Sequence, residues 1–236
     1  MTYHFTTKNG TQIPAITTEQ MIEVDRIAIE ETGPNLYQMM ENAGRNLALT
    51  IIDLIMEISE PSIVILAGTG GNGGIVAARH LLNRNYNVKL ALTDKSKMKD
   101  VPKRQLEIYE SAGGVLIDNF DDIKTDIIVD AIIGYSLSNE PRGKSLQFIQ
   151  WANSQNVKKI SLDVPSGINS TTGENYGEYF IADTTMTLAL PKTGLSEDKC
   201  GKLLHADIGI SQNVYDKIGT KYNSPFKMDY VIPLYH

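Results

Sequence analysis

The sequence predicts an α/β protein with a three-layer, Rossmann-like, doubly wound and mostly parallel sheet, preceded by an N-terminal helical hairpin. Three observations predict it. Short apolar runs alternate with helical patterns along most of the chain. The run Ile63-Val64-Ile65-Leu66 opens into a glycine-rich turn and then a helix, and two later runs end in an acid followed by glycine. With 236 residues and 42% hydrophobic side chains, one α/β domain over 1–236 is expected, because such layers commonly reach this size around a single core.

Composition narrows the partners. The 22 Lys+Arg against 28 Asp+Glu give a formal net charge of −6, and no run of five like charges occurs. That argues against a nucleic-acid surface and points to a small-molecule substrate. Cys200 is the only cysteine, so no intramolecular disulfide forms. With no signal-like N-terminal segment and no stretch of 18 apolar residues, a cytoplasmic protein without a membrane partner is expected.

Residues 1–16 show no period and read as an arm that packs on the domain or on a neighbouring subunit. Thr17 and Gln20 form a capping-box pattern, and Met21, Val24 and Ala28, beside a row of Ile22 and Ile29, give a first helix. Gly33-Pro34 stops it. A second helix runs from about 35 to 57, with Met39, Met40, Ala43, Leu47, Ile51, Leu54, Ile55 and Ile58 inward, and Pro61 ends the hairpin.

The next strand meets Gly68–Gly73, a G-x-G-x-x-G run, and Ile75, Val76, Ala78, Leu81 and Leu82 then give a helix one apolar side. Strand, glycine turn and helix together suit a phosphate held by backbone N–H groups at a helix N-terminus. A purely structural tight turn is the competing reading. Residues 87–93 alternate as a strand and Asp94 caps the segment after it. A polar helix at 100–112 closes on Gly113-Gly114 before a short strand at 115–117.

A loop through Asp121 and Asp122 leads to a buried strand at 126–133 that delivers Asp130 and then Gly134. A helix at 143–153 carries Leu146, Ile149 and Trp151. The strand at 159–164 ends in Asp163-Val164-Pro165-Ser166-Gly167, that at 183–190 is closed by Pro191 and Lys192, and 203–208 makes a last strand. The tail from Ser211 is weakly patterned. A 3-2-1-4-5 order reverses between the strands at 62 and 126, and ligands bind at the C-terminal ends there. This gathers the loop 68–74, the loop 130–140 and the Asp163–Gly167 turn at one crevice.

Asn72, Asp130 and Ser166 offer hard oxygens suited to an alkali or alkaline-earth cation. A left-handed turn for Asn72 and a cap for Ser166 explain them as well. His4, His80, His205 and His236 have no ligand spacing and read as surface or helix-packing residues. Asp163 is placed to handle a proton or bind a ribose or amide, with a simple Asx turn as the alternative. Lys192 is a candidate to meet a phosphate or polarise an oxygen. Spacing alone favours a solvated surface lysine, and it is carried with Asp163 as a candidate catalytic residue.

GTGGNGGIVAARHL, VDAIIGYSL followed by PRG, LDVPSGINSTTGE and ADTTMTLALPKTGL occur in that order, with the helical MMENAG at 39–44. Together they resemble the YjeF N-terminal domain family, the NAD(P)H-hydrate epimerases, over about residues 15–210. The resemblance implies a commonly dimeric fold, hence a homodimer. It implies repair of hydrated NADH and NADPH by interconversion of their R and S forms, with a bound potassium ion (K+).

Carried onto this chain, the potassium ligands fall on Asn72, Asp130 and Ser166. Hydrate binding falls on Gly71, Asn72, Gly73 and Gly74, on Gly134, Tyr135, Ser136, Leu137, Ser138, Asn139 and Glu140, and on Asp163. The chain departs from the family's usual N-N-G-G-D-G at this loop, which is two residues shorter and lacks the aspartate. Two other readings stand beside it. Asp94, 21 residues after Gly73 at a strand end, suits the ribose of an NAD-dependent oxidoreductase. A non-catalytic dimeric binding module is the other, since YjeF-like domains also occur as scaffolds in messenger-RNA decapping proteins.

Overall fold

In the computed structural model, which describes residues 4–236, the chain opens with an antiparallel hairpin of β1 (His4–Thr6) and β2 (Gln12–Pro14). Of the arm without a period, residues 4–16 are therefore packed on their own domain, and residues 1–3 lie outside the described residues. Phe5 and Ile13 are buried, and Thr6 exchanges backbone hydrogen bonds with Tyr235 from the other end of the chain.

Helix α1 (Thr18–Ile27) starts at Thr17, whose capping box with Gln20 forms in both directions. It runs into a π-helical turn, Ala28–Thr32, that stops at Gly33 with φ +80°, a conformation glycine adopts freely. Asn35 and Gln38 make a second full capping box for α2 (Leu36–Leu54). Ala43, Leu47 and Ile51 of α2 are fully buried, whereas Ile22 and Ile29 are 53% and 46% exposed, so their row faces outward.

The chain then alternates β3 (Ser62–Ala67), α3 (Asn72–Leu82), β4 (Asn87–Leu92), α4 (Asp100–Ser111), β5 (Val115–Leu116), β6 (Ile127–Ala131), α5 (Lys144–Ser154) and β7 (Lys158–Leu162). It continues through β8 (Thr184–Leu188), α6 (Glu197–Cys200), β9 (Lys202–Ala206), α7 (Gln212–Lys217) and β10 (Val231–Leu234). Eight strands form one sheet in the order β10-β9-β8-β7-β6-β3-β4-β5, parallel throughout except for β10, which runs antiparallel on β9. The predicted reversal therefore falls between β3 and β6.

β3 has no alternation because both of its faces are buried. Ile63, Ile65 and Ala67 enter the core shared with α2 and α3, and Val64 and Leu66 pack with Ile128, Phe148 and Ile149 on the side of α5. α2 and α3 approach closely at Gly44, where a Cβ would lie 2.3 Å from Val76 Cβ and 2.7 Å from the Gly73 carbonyl oxygen. That contact fixes the N-terminus of α3 over the end of β3.

Candidate functional site

β3, β6 and β7 are adjacent and parallel, so the turns at their C-terminal ends share one sheet edge. Residues 68–70 separate β3 from Gly71, the cap of α3. This short loop presses on the end of β6. The Gly68 N–H donates to the Ala131 carbonyl at 3.0 Å, and a Cβ on Gly68 would fall 1.9 Å from the Ile132 carbonyl oxygen. One on Gly71 would fall 2.6 Å from that of Ala131, while Gly70 faces open space. Gly73 and Gly74 lie in the first turn of α3, where no intrahelical carbonyl reaches their N–H groups and an anion is favoured. The glycines thus let the buried start of the helix pack closely against the ends of β3, β6 and β7. Asn72, the first residue of α3, is buried with its Oδ1 unpartnered.

Asp130 stands at the end of β6, 1% exposed. Its Oδ1 accepts from Ile132 N–H at 3.1 Å and Ser166 Oγ at 2.6 Å. Its Oδ2 accepts from Ser161 Oγ at 2.9 Å and Ser166 N–H at 2.8 Å. Ser166 Oγ also accepts from Ile133 N–H at 2.8 Å. Asp130 is thereby a latch between β6 and the turn after β7. Burial pushes its carboxyl up to about 6, against the opposing pull of the Ser166, Ile132 and Ser161 donors.

The three residues expected to hold potassium differ in availability. Asn72 Oδ1 is open, whereas the four acceptor positions of the Asp130 carboxylate are filled, and Asp130 and Ser166 are bonded to each other. The donor types fit a hard cation. Of the three, only Asn72 has a buried oxygen without a partner.

β7 ends at Leu162, and Asp163 takes a left-handed backbone with φ +71°, a strain of about 1 kcal/mol or more for a side chain with a Cβ. Surrounding contacts hold it there. Its N–H donates to the Met186 carbonyl at 2.7 Å, its Oδ1 takes Lys192 Nζ, and its Oδ2 takes the Tyr135 N–H at 3.1 Å. Lys192 is fully buried and donates also to the Leu188 carbonyl at 2.9 Å. The surface reading of Lys192 is overturned. What covers it is distant in sequence, because Ile16 after β2 donates its N–H to the Pro191 carbonyl at 2.9 Å and accepts from Thr193 N–H at 3.0 Å.

His205 on β9 sits behind this turn, its Nε2–H on the carbonyl of Ala189. Burial holds its imidazole down at about 4, so it is neutral, with a bare, unpartnered Nδ1. It is a core residue of the sheet and neither a surface nor a helix-packing histidine. Gly134 is exposed, and a Cβ there would meet Asp163 Oδ2 at 3.3 Å. Ser136, Ser138, Asn139 and Glu140 are exposed and Leu137 is half-buried, so this segment forms an open lip while Tyr135 turns inward.

The phenol of Tyr135 donates to Asp25 Oδ2 at 2.6 Å. Asp25 is the residue that sequence reasoning missed. Its signal was present: it lies four residues after Met21 and three before Ala28, an acid in the apolar stripe of α1. Asp94, by contrast, is spent on capping, accepting from Ser96 N–H and Oγ and pairing with Lys97. Ser96 first and Lys97 next hold its carboxyl down at about 2. Asp94 is thus engaged within its own turn, which weighs against the oxidoreductase reading.

A glycine-seated helix at the point of strand reversal, with a buried acid–lysine pair at the C-terminal ends of the neighbouring β7 and β8, defines a doubly wound α/β protein. Residues 36–194 match the family described as YjeF-related protein N-terminus. The chain belongs to that family.

It is similar to the NAD(P)H-hydrate epimerase of Dehalogenimonas lykanthroporepellens, 47% identical over 240 residues that cover 99% of this chain and 98% of that protein. The NAD(P)H-hydrate epimerase of Rhodopirellula baltica is 34% identical over 79% of each chain. The bifunctional NAD(P)H-hydrate repair enzyme Nnr of Salinibacter ruber is 32% identical over 88% of this chain, which spans 43% of that longer protein. The crystal structure of yeast ynu0 shares the fold, with a TM-score of 0.81 at 21% identity over 93% of this chain and 99% of that one.

Proposed function

We propose that this protein is an isomerase that interconverts the R and S forms of hydrated NADH and NADPH. The observation that carries the reading is the buried Asp163–Lys192 pair at the C-terminal ends of β7 and β8, in a chain 47% identical to an NAD(P)H-hydrate epimerase along nearly its whole length. The pair shares one transferable proton. Delivered to the hydroxyl on the hydrated ring carbon, that proton lets the C–O bond break to release water as the ring nitrogen lone pair forms C=N. Water re-adds to the opposite face, the C=N electrons return to nitrogen, and the surplus proton returns to the pair. No oxidant or reductant is needed.

The first-turn N–H groups of Gly73 and Gly74, which have no intrahelical partner, and the largely exposed lip from Gly134 to Glu140 support binding of the nucleotide phosphates and ribose. Asn72, Asp130 and Ser166 would hold a potassium ion, which would supply positive charge for the anionic ligand. The reading extends to a cytoplasmic homodimer, for which the exposed Ile22, Ile29 and Leu49 of α1, the π-helical turn and α2 offer apolar surface.

Purified R hydrate mixed with the protein and followed by chromatography tests the activity. The S form accumulates faster than it does without protein. An unchanged rate refutes the epimerase reading.

A further inference from the structure

Asp25 belongs to α1, away from the three strand ends, yet it reaches the site through Tyr135. The three polar groups of Tyr135 are all engaged. Its phenol donates to Asp25 Oδ2 at 2.6 Å, its N–H to Asp163 Oδ2 at 3.1 Å, and its carbonyl accepts from Ser170 Oγ at 2.8 Å. The other side of that grip also returns to α1, since the hydroxyl of Thr18 lies 2.6 Å from that of Ser170 and 2.8 Å from that of Thr171. Lys192 Nζ stands 5.7 Å from the Tyr135 ring centroid, so the cation that neutralises Asp163 also faces this ring.

Asp25 has no surface role to explain it. The neighbouring Arg26 points outward to Glu23, Glu30 and Glu31, whereas Asp25 is turned to the site. Burial raises its carboxyl, partly offset by the Tyr135 hydrogen bond and the Lys192 charge. An acid kept in such surroundings makes one strong, oriented contact, and that contact is the phenol.

We propose that Asp25 is a positioning residue for the epimerisation, acting through Tyr135 to hold the Asp163 carboxylate in register with Lys192. The inference rests on the epimerase reading above. Asp163 has a left-handed backbone and a short side chain, so its aim is set by the groups that grip it, and Tyr135 N–H is one of three. Misaiming a proton-transfer group by a fraction of an ångström slows turnover while leaving substrate affinity largely intact.

The test compares Asp25→Asn, Tyr135→Phe and the double variant with the wild-type protein, measuring kcat and KM on the R hydrate beside thermal unfolding curves. Each single change is expected to lower kcat by about tenfold or more with KM within roughly threefold. The double variant should be no slower than the poorer single within about twofold, because both break the same contact. Wild-type kcat in Asp25→Asn, or losses that multiply in the double, overturns the proposal. If Asp25→Asn does not fold, Tyr135→Phe decides: a kcat loss at steady KM upholds it and an unimpaired kcat overturns it. A wild-type protein without turnover overturns the epimerase reading and this inference together, a result distinct from an active wild type beside an unimpaired Asp25→Asn.

Discussion

Lys192 and Asp163 are buried as a pair, so removing either strands the other. Lys192→Met leaves an anion facing backbone donors alone and should cost on the order of 3–5 kcal/mol in urea unfolding. It should also lower kcat for epimerisation by about 10²–10⁴-fold, and stability or turnover close to wild type would refute the pairing as drawn. Asp130 and His205 act on pH dependence with opposite sign. The Asp130 carboxyl is raised from 3.8 to about 6, so its contribution is complete below 3.8 and is lost as pH rises through about 6. His205 is lowered from 6.5 to about 4, so its contribution is complete above 6.5 and is lost as pH falls through about 4. Each amounts to about 3 kcal/mol, and the two slopes oppose each other between these limits. Relative to wild type, His205→Gln should therefore gain stability by roughly that amount as pH falls from 6.5 to 4, and Asp130→Asn should lose it. Urea unfolding at pH 4, 5 and 6.5 measures both, and parallel profiles for all three proteins would overturn the assignment.

Elements whose signals are local were readable from the chain. The Thr17–Gln20 capping box rests on residues three apart, and the buried run of β3 needs only its own letters; the Asn35–Gln38 box is equally local and went unread. What local reading could not reach is set by distant partners. β10 carries Pro233 in a four-residue strand, which breaks the pattern and is tolerated only because the strand is an edge. Lys192 comes after a proline like any surface lysine, and the groups beside it come from far along the chain, the Ile16 backbone on its flanks and the Tyr135 ring facing its Nζ. The candidate site was half legible: the strand order brings the three expected turns to one sheet edge, but the Asp130–Ser166 latch and the Asp25–Tyr135 contact depend on orientation that spacing does not encode. The glycine at the α2–α3 crossing belongs to the same class. Gly44→Ala puts a Cβ 2.3 Å from Val76 Cβ, and the overpacking should cost about 2 kcal/mol despite alanine's better helix propensity. Adding Val76→Ala keeps that Cβ in place and should not restore the loss; a full recovery in thermal unfolding would show that the crossing can relax.

Over the whole molecule, the two ends of the described chain meet and brace the site between them. β10 covers the edge of β9, and Thr6 and Tyr235 exchange backbone hydrogen bonds of 2.7 and 2.8 Å, with the Phe5 and His236 rings 4.5 Å apart. From that hairpin the chain runs directly to Ile16, the residue whose backbone bonds enclose Lys192. Deleting residues 231–236 removes the buried Ile232 and Leu234, uncovers Phe5 and opens the β9 edge. At about 1.5–3 kcal/mol for each aliphatic side chain, the loss is roughly 3–6 kcal/mol. For a domain of this size that lowers Tm by on the order of 10 °C, read by calorimetry. If the clasp also secures Ile16, turnover at 25 °C should fall in the truncated protein, whereas Leu234→Ala, which keeps the Thr6–Tyr235 ladder, should lower Tm and leave kcat near wild type. Equal loss of kcat in both proteins would mean that the brace works through core packing and not through the strand that closes over Lys192.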